Sequence, residues 1–166
     1  ARAGLRRLVV FNSHGGNKAA IDSAALALRM THDLFVIKAN YFRFVPPDDA
    51  LAADELRHGL HGGALETAMM QHLAPHLVRQ DRLADHDSLG AALAREGAVV
   101  GPEGEAAFAW RAEDLTPAGV AGNATAGDGA LGTRLVSHFG ARLAGILAEA
   151  GSFDLSRLGR ESSRLV

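Results

Sequence analysis

Hydrophobic positions along the chain fall into short runs, divided by polar and glycine-rich breaks. Leu5 to Phe11 ends in β-forming residues and meets Asn12-Ser13-His14-Gly15-Gly16-Asn17, a polar glycine turn. From Lys18 to Met30, Ile21, Ala25 and Leu28 share one helical face, which predicts a helix that the Asn17 side chain is placed to cap. Asp33 to Phe44 is the next extended candidate: Leu34, Phe35, Val36 and Ile37 lead into Tyr41, Phe42, Phe44 and Val45, and Pro46-Pro47-Asp48-Asp49 stops the run. A strand, a crossover helix and a second strand make a βαβ unit. Its short apolar strands suggest burial on both faces of a sheet, so the predicted fold class is α/β.

Further along, Leu65, Met69 and Leu73 recur four apart and predict a helix over Ala64 to Leu73, introduced by Gly62-Gly63 and limited by Pro75. Asp81 to Val100 contains a helical stretch around Leu89 and Leu93, closed by Gly97. Phe108 and Trp110 alternate as they would on a strand with one buried face. Pro117 to Gly129 reads as a Gly- and Ala-rich loop. After it, Leu135, Phe139, Leu143 and Ile146 mark a helix over Leu131 to Ala150, and the tail from Gly151 is expected to fray.

Composition narrows the function classes. At 166 residues the default is one domain, 1–166, and the 48% hydrophobic content suits a folded protein with a real core. Seventeen basic residues against nineteen acidic ones form no basic stripe with aromatics, which argues against nucleic acid as a partner. Leu8 to Phe11, bounded by Arg7 and Asn12, is far short of the ~20 apolar residues that span a bilayer, so no membrane partner is expected. The chain has no cysteine, so a metal would have to sit on His, Asp or Glu. Ala1-Arg2-Ala3-Gly4 lacks an initiator Met and an apolar leader, and the expectation is a cytoplasmic protein from which this chain is cut.

Two segments carry chemistry. His14 lies in a loop leaving a strand and entering a helix, where open α/β sheets place their ligands, and the glycines after it allow a close backbone approach. The plain alternative is a glycine turn with a surface histidine. In His61-Gly62-Gly63-Ala64-Leu65-Glu66-Thr67 an imidazole precedes a helix and a carboxylate follows in its first turn. Such a pair can hold a water and pass its proton on, although a first-turn glutamate is also an ordinary cap. Glu55, His58 and His61 fall three apart, as zinc ligands on one helix face would, but Gly59 argues against a helix through them.

In this order, Asn12-Ser13-His14-Gly15-Gly16-Asn17, His61-Gly62-Gly63-Ala64-Leu65-Glu66-Thr67-Ala68 and Gly119-Val120-Ala121-Gly122-Asn123-Ala124-Thr125-Ala126 resemble the creatininase family. That family carries N-G-H-x-x-N, H-A-G-x-x-E-T-S and G-V-x-G-x-x-x-A segments. The resemblance covers nearly the whole chain and implies a three-layer α/β/α sheet with flanking helices, its N-terminal part missing. It further implies a homo-oligomeric hydrolase that cuts a cyclic or simple amide. The implied cofactor is a divalent metal, zinc, manganese or iron, two per intact active site. His14 matches the metal-binding histidine. His61 and Glu66 match the pair that positions the water and handles the proton of the departing nitrogen. Apart from the resemblance, Asn123 and Thr125 in the glycine-rich loop are candidate substrate contacts, although loop turns use the same residues. In creatininase itself a glutamate that binds the second metal stands two residues after the metal histidine, where this chain has Gly16, as in the H-G-G-N branch of the family, so a weaker or differently built second metal site is expected. The family's E-x-H-G-x-H-L-P motif is not found here, and its ligands are expected upstream of Ala1. The chain alone is therefore expected to bind metal poorly and to be inactive. Rival readings are a non-catalytic assembly fragment or degenerate homologue, and a small-molecule-binding α/β domain.

Overall fold

The computed structural model describes residues 1–159. The chain divides into two compact units, Pro46–His138 and Ala1–Val45 joined by the chain from Phe139 onward.

In the unit that holds the N-terminus, β1 (Arg7–Asn12), α1 (Lys18–His32) and β2 (Phe35–Asn40) form the expected βαβ, with the strands parallel and in register from Arg7↔Phe35 to Asn12↔Asn40. Helix α1 stops at Asp33, which adopts a left-handed φ of 53°, a conformation that short polar side chains tolerate best after glycine. The Asp33 carboxylate takes Arg6 at 3.1 Å and also Arg29, fixing the turn into β2. Asn17 does not cap α1 with its side chain: its backbone is already helical, at φ −79° and ψ −12°, rather than in the extended conformation of an N-cap, and its amide donates to the Asn12 side chain.

The second extended segment ends earlier than the pattern suggested. After Asn40 the chain turns through a 3-10 helix, Tyr41–Arg43, because Tyr41 is buried edge-on against Phe139 at 6.0 Å. Phe44 then meets Phe11 and Phe139 at 6.4 and 6.1 Å. Ala25, Leu34, Ala39 and Tyr41 are buried, whereas Leu8 and Phe11 on β1 are exposed. Burial on both faces therefore fails for β1 among the described residues.

The unit Pro46–His138 contains α2 (Ala53–His58), α3 (Ala64–Leu73), β3 (Asp85–His86), α4 (Leu89–Arg95), β4 (Val100–Gly101), β5 (Ala106–Ala107), α5 (Ala112–Leu115), β6 (Gly122–Asn123) and the start of α6 (Gly129–Ser152). Its strands are two residues long, β3 pairing antiparallel with β6 and β4 parallel with β5. Helix α3 has the predicted limits. Helix α4 is shorter than the stretch from Asp81 to Val100, since Ser88 caps it by accepting from the Ala91 N–H at 3.3 Å and Gly97, at φ 73°, lies just past its end. Trp110 is not on a strand: β5 ends at Ala107, and the half-buried indole N–H donates to the Pro102 carbonyl at 3.0 Å.

Small side chains make this core. Ala64, Ala68, Ala121 and Ala124 are buried with Leu115 and Leu135. A Cβ on Gly132 would lie 1.9 Å from the Ala68 carbonyl oxygen, so α6 meets α3 backbone to backbone. No helix among the described residues is long and apolar enough to cross a membrane.

Candidate active site

His14 stands at the end of β1, in extended backbone ahead of a 3-10 turn over Gly15–Asn17. Its position is set by Asn12, which is buried and whose Oδ1 accepts from the His14 N–H at 3.1 Å and from the Asn17 amide at 3.3 Å. The Asn12 amide donates in turn to Asn40 Oδ1 at 2.8 Å, tying the loop to the end of β2. The exposed imidazole leans over Gly16, where an added Cβ would sit 2.6 Å from Nε2. The space a side chain at position 16 would need is thus occupied by the His14 ring.

His61, Glu66, Asn123 and Thr125 all belong to the unit Pro46–His138. His61 Nδ1 is 3.9 Å from Glu66 Oε2, with both side chains partly exposed. The same oxygen of Glu66 is held by the backbone, accepting from the Gly62 N–H at 2.5 Å. A carboxylate in the first turn of α3 is favoured by the helix dipole, and here it also satisfies a backbone donor ahead of the helix. Gly62 has a φ of 69°, which places the His61 backbone beside Ala121: the Ala121 N–H donates to the His61 carbonyl at 2.8 Å and the His61 N–H to the Ala121 carbonyl at 3.4 Å. The imidazole-bearing segment is thereby zipped to the glycine-rich loop.

In that loop Asn123 Oδ1 accepts from the Thr125 N–H at 3.0 Å and from the Thr125 hydroxyl at 2.5 Å, so these two candidate contacts hold each other in a turn. Asn123 also lines a cavity of about 520 Å³ with His58, Asp87 and Arg95, while Thr125 does not. Arg95 binds both oxygens of Asp87, at 3.0 and 2.6 Å, and that hydrogen bonding, with the positive charge of Arg95, holds the Asp87 carboxyl below its ordinary value.

No group of three or more His, Asp or Glu side chains among the described residues is placed to hold a metal ion. The Glu55, His58 and His61 spacing does not make one: α2 ends at His58, and both oxygens of Glu55 accept backbone N–H groups, from Ala64 at 2.7 Å and Asn123 at 2.8 Å. Single-residue spacing could not reveal that bond, nor the role of Asn40, because both join segments far apart in the sequence.

Residues 1–147 match the family described as creatinine amidohydrolase. A creatinine amidohydrolase of Pseudomonas putida is 38% identical over 98 residues, which cover 52% of this chain and 37% of the relative. Among solved structures, a Bacteroides fragilis NCTC 9343 protein assigned as a creatinine amidohydrolase superposes with a TM-score of 0.67 at 27% identity, over 93% of this chain and 57% of that one. A glutamate-to-glutamine variant of creatininase complexed with creatine gives 0.61 at 25% identity, over 92% and 60%. The chain thus spans between about a third and three fifths of the length of these relatives. Three ordered sequence motifs, a mixed α/β fold shared with solved creatininases and a family match over most of its length agree: this chain belongs to the creatininase family.

Proposed function

We propose that this chain is part of an amidohydrolase that cleaves the C–N bond of a cyclic or simple amide, with His61 and Glu66 as its acid–base pair. The observation that carries this reading is the anchored pair itself. Glu66 is pinned by the Gly62 N–H and His61 by the Ala121 bridge, with 3.9 Å between imidazole and carboxylate. Catalytic contacts are commonly loose before substrate binds and close in the complex. Glu66 takes a proton from the attacking water, whose oxygen bonds to the amide carbonyl carbon. His61 gives a proton to the departing nitrogen as the C–N bond breaks. Asn123 and Thr125 contribute by fixing the loop beside His61.

His14 is proposed as one ligand of a divalent metal, zinc, manganese or iron, whose other ligands lie outside the described residues. Support comes from its placement on the Asn12 to Asn40 network at the end of β1 and from the family match.

The test uses the full gene product, assayed with creatinine and simple cyclic amides beside His61→Ala, Glu66→Gln and His14→Ala, with metal content measured on each. Turnover lost in all three, with metal lost only in His14→Ala, is the expected result. Full turnover in His61→Ala and Glu66→Gln would overturn the assignment of the acid–base pair.

A further inference from the structure

We propose that Glu55 is a positioning residue, which sets the spacing between the segment carrying His61 and the glycine-rich loop by gripping a backbone N–H from each. Its Oε1 accepts from Ala64, three residues after His61, at 2.7 Å, and its Oε2 accepts from Asn123 at 2.8 Å. A charged acceptor makes such bonds short and about twice as strong as neutral ones. The same two segments are also paired at the bridge between His61 and Ala121. Glu55 ties the same junction a second time, so the position of the imidazole depends on a side chain that bonds only to the backbone around it.

The surroundings are built for that carboxylate. A Cβ placed on Gly59, Gly63 or Gly122 would lie 2.4, 2.4 and 2.7 Å from Glu55 Oε1. Three chain segments therefore close on one oxygen with no side chain between. Gly122 has a φ of 120° that favours glycine in its own right, but Gly63, with φ −73°, is in backbone that any residue adopts. The requirement for glycine at 63 comes chiefly from Glu55, since its next neighbours, the Ala121 carbonyl and Gly59 Cα, stand 3.3 Å from the added atom.

This inference rests on the amidohydrolase reading only for its kinetic consequence, and the experiment separates the two. The full gene product is compared with Glu55→Gln, which keeps the shape but turns a donor toward a backbone donor, with Gly63→Ala, which pushes the carboxylate aside, and with the double variant. Hydrogen exchange is followed in the peptides around His61–Ala64 and Val120–Asn123, together with the pH dependence of kcat/KM. Faster exchange in both peptides together, α1 unchanged, is expected from either single variant. The double variant should add nothing, because both act on one grip. The limb of the pH profile assigned to the acid–base pair should move in each, with kcat/KM down roughly tenfold; a loss of folded protein would lower the profile without moving its limbs. If Glu55→Gln does not fold, Gly63→Ala carries the same readouts. Additive exchange effects, or exchange changed in only one peptide, would overturn the grip. Coupled exchange with an unmoved pH limb would overturn the positioning role. An inactive wild-type protein defeats the amidohydrolase reading and the kinetic role with it, leaving the grip to be judged on exchange alone.

Discussion

The side-chain amide of Asn12 donates to the side-chain carbonyl of Asn40 at 2.8 Å, across the paired last residues of two parallel strands. Asn12 is 3% exposed and its carbonyl also serves the His14 N–H and the Asn17 amide. Asn12→Ala removes all three bonds from a buried position and should cost about 1–3 kcal/mol of stability. Asn40→Ala, which strands the Asn12 amide, should fall in the same range. Urea unfolding checks both, and the His14 ring resonances should broaden in Asn12→Ala as the loop loses its anchor.

Replacing Glu66 by Gln preserves the volume at the start of α3 but removes the charge that accepts the Gly62 N–H and faces His61. If the pair performs acid–base work, kcat should drop by ~10²–10⁴-fold, the usual contribution of such a group. Steady-state kinetics on the full gene product measures it, and a loss of less than tenfold would be too small for the role.

Asp87 gives a pH signature at the cavity. Its carboxyl is held low mainly by the hydrogen bonds from Arg95, so the charged pair persists to lower pH than it would with an ordinary carboxylate. The sign follows from the lowered folded value: whatever the pair contributes is present above the normal carboxylate range and is lost as pH falls through the depressed value. A carboxyl-carbon NMR titration should find Asp87 ionised at lower pH than an ordinary aspartate, and Arg95→Ala should raise its midpoint.

Strand β1 pairs only with β2 among the described residues and exposes Phe11 at 51% and Leu8 at 38%. An unpaired edge beside apolar surface recruits further chains. The 166-residue chain produced by itself should associate with rising concentration in sedimentation velocity runs, and Phe11→Lys should reduce that association. A single monomeric boundary at high concentration would count against it.

Legibility from sequence tracked the range of the interactions. Helix α3 was readable to its ends because Leu65, Met69 and Leu73 lie on one face and Pro75 cannot continue it, both local facts. The βαβ unit was equally plain from period and turn chemistry. The end of β2 was not, since alternation of Tyr41, Phe42 and Phe44 imitates a strand, while what bends the chain there is Phe139, nearly a hundred residues away. His14, His61 and Glu66 stood out through their motifs. Glu55 looked like a possible ligand at helical spacing, and only the folded chain shows that both its oxygens are committed to backbone donors on separate segments.

The contact of Gly132 with the Ala68 carbonyl has a consequence for motion. Packing between helices usually relies on side chains that hop among rotamers as temperature rises, so their fit loosens gradually. Here two main chains touch directly, and a main chain has no rotamers to sample. The turn of α3 from Ala64 to Ala68, which bears Glu66, should therefore stay sharp on warming while the Met70 and Leu73 end, exposed at its surface, blurs first.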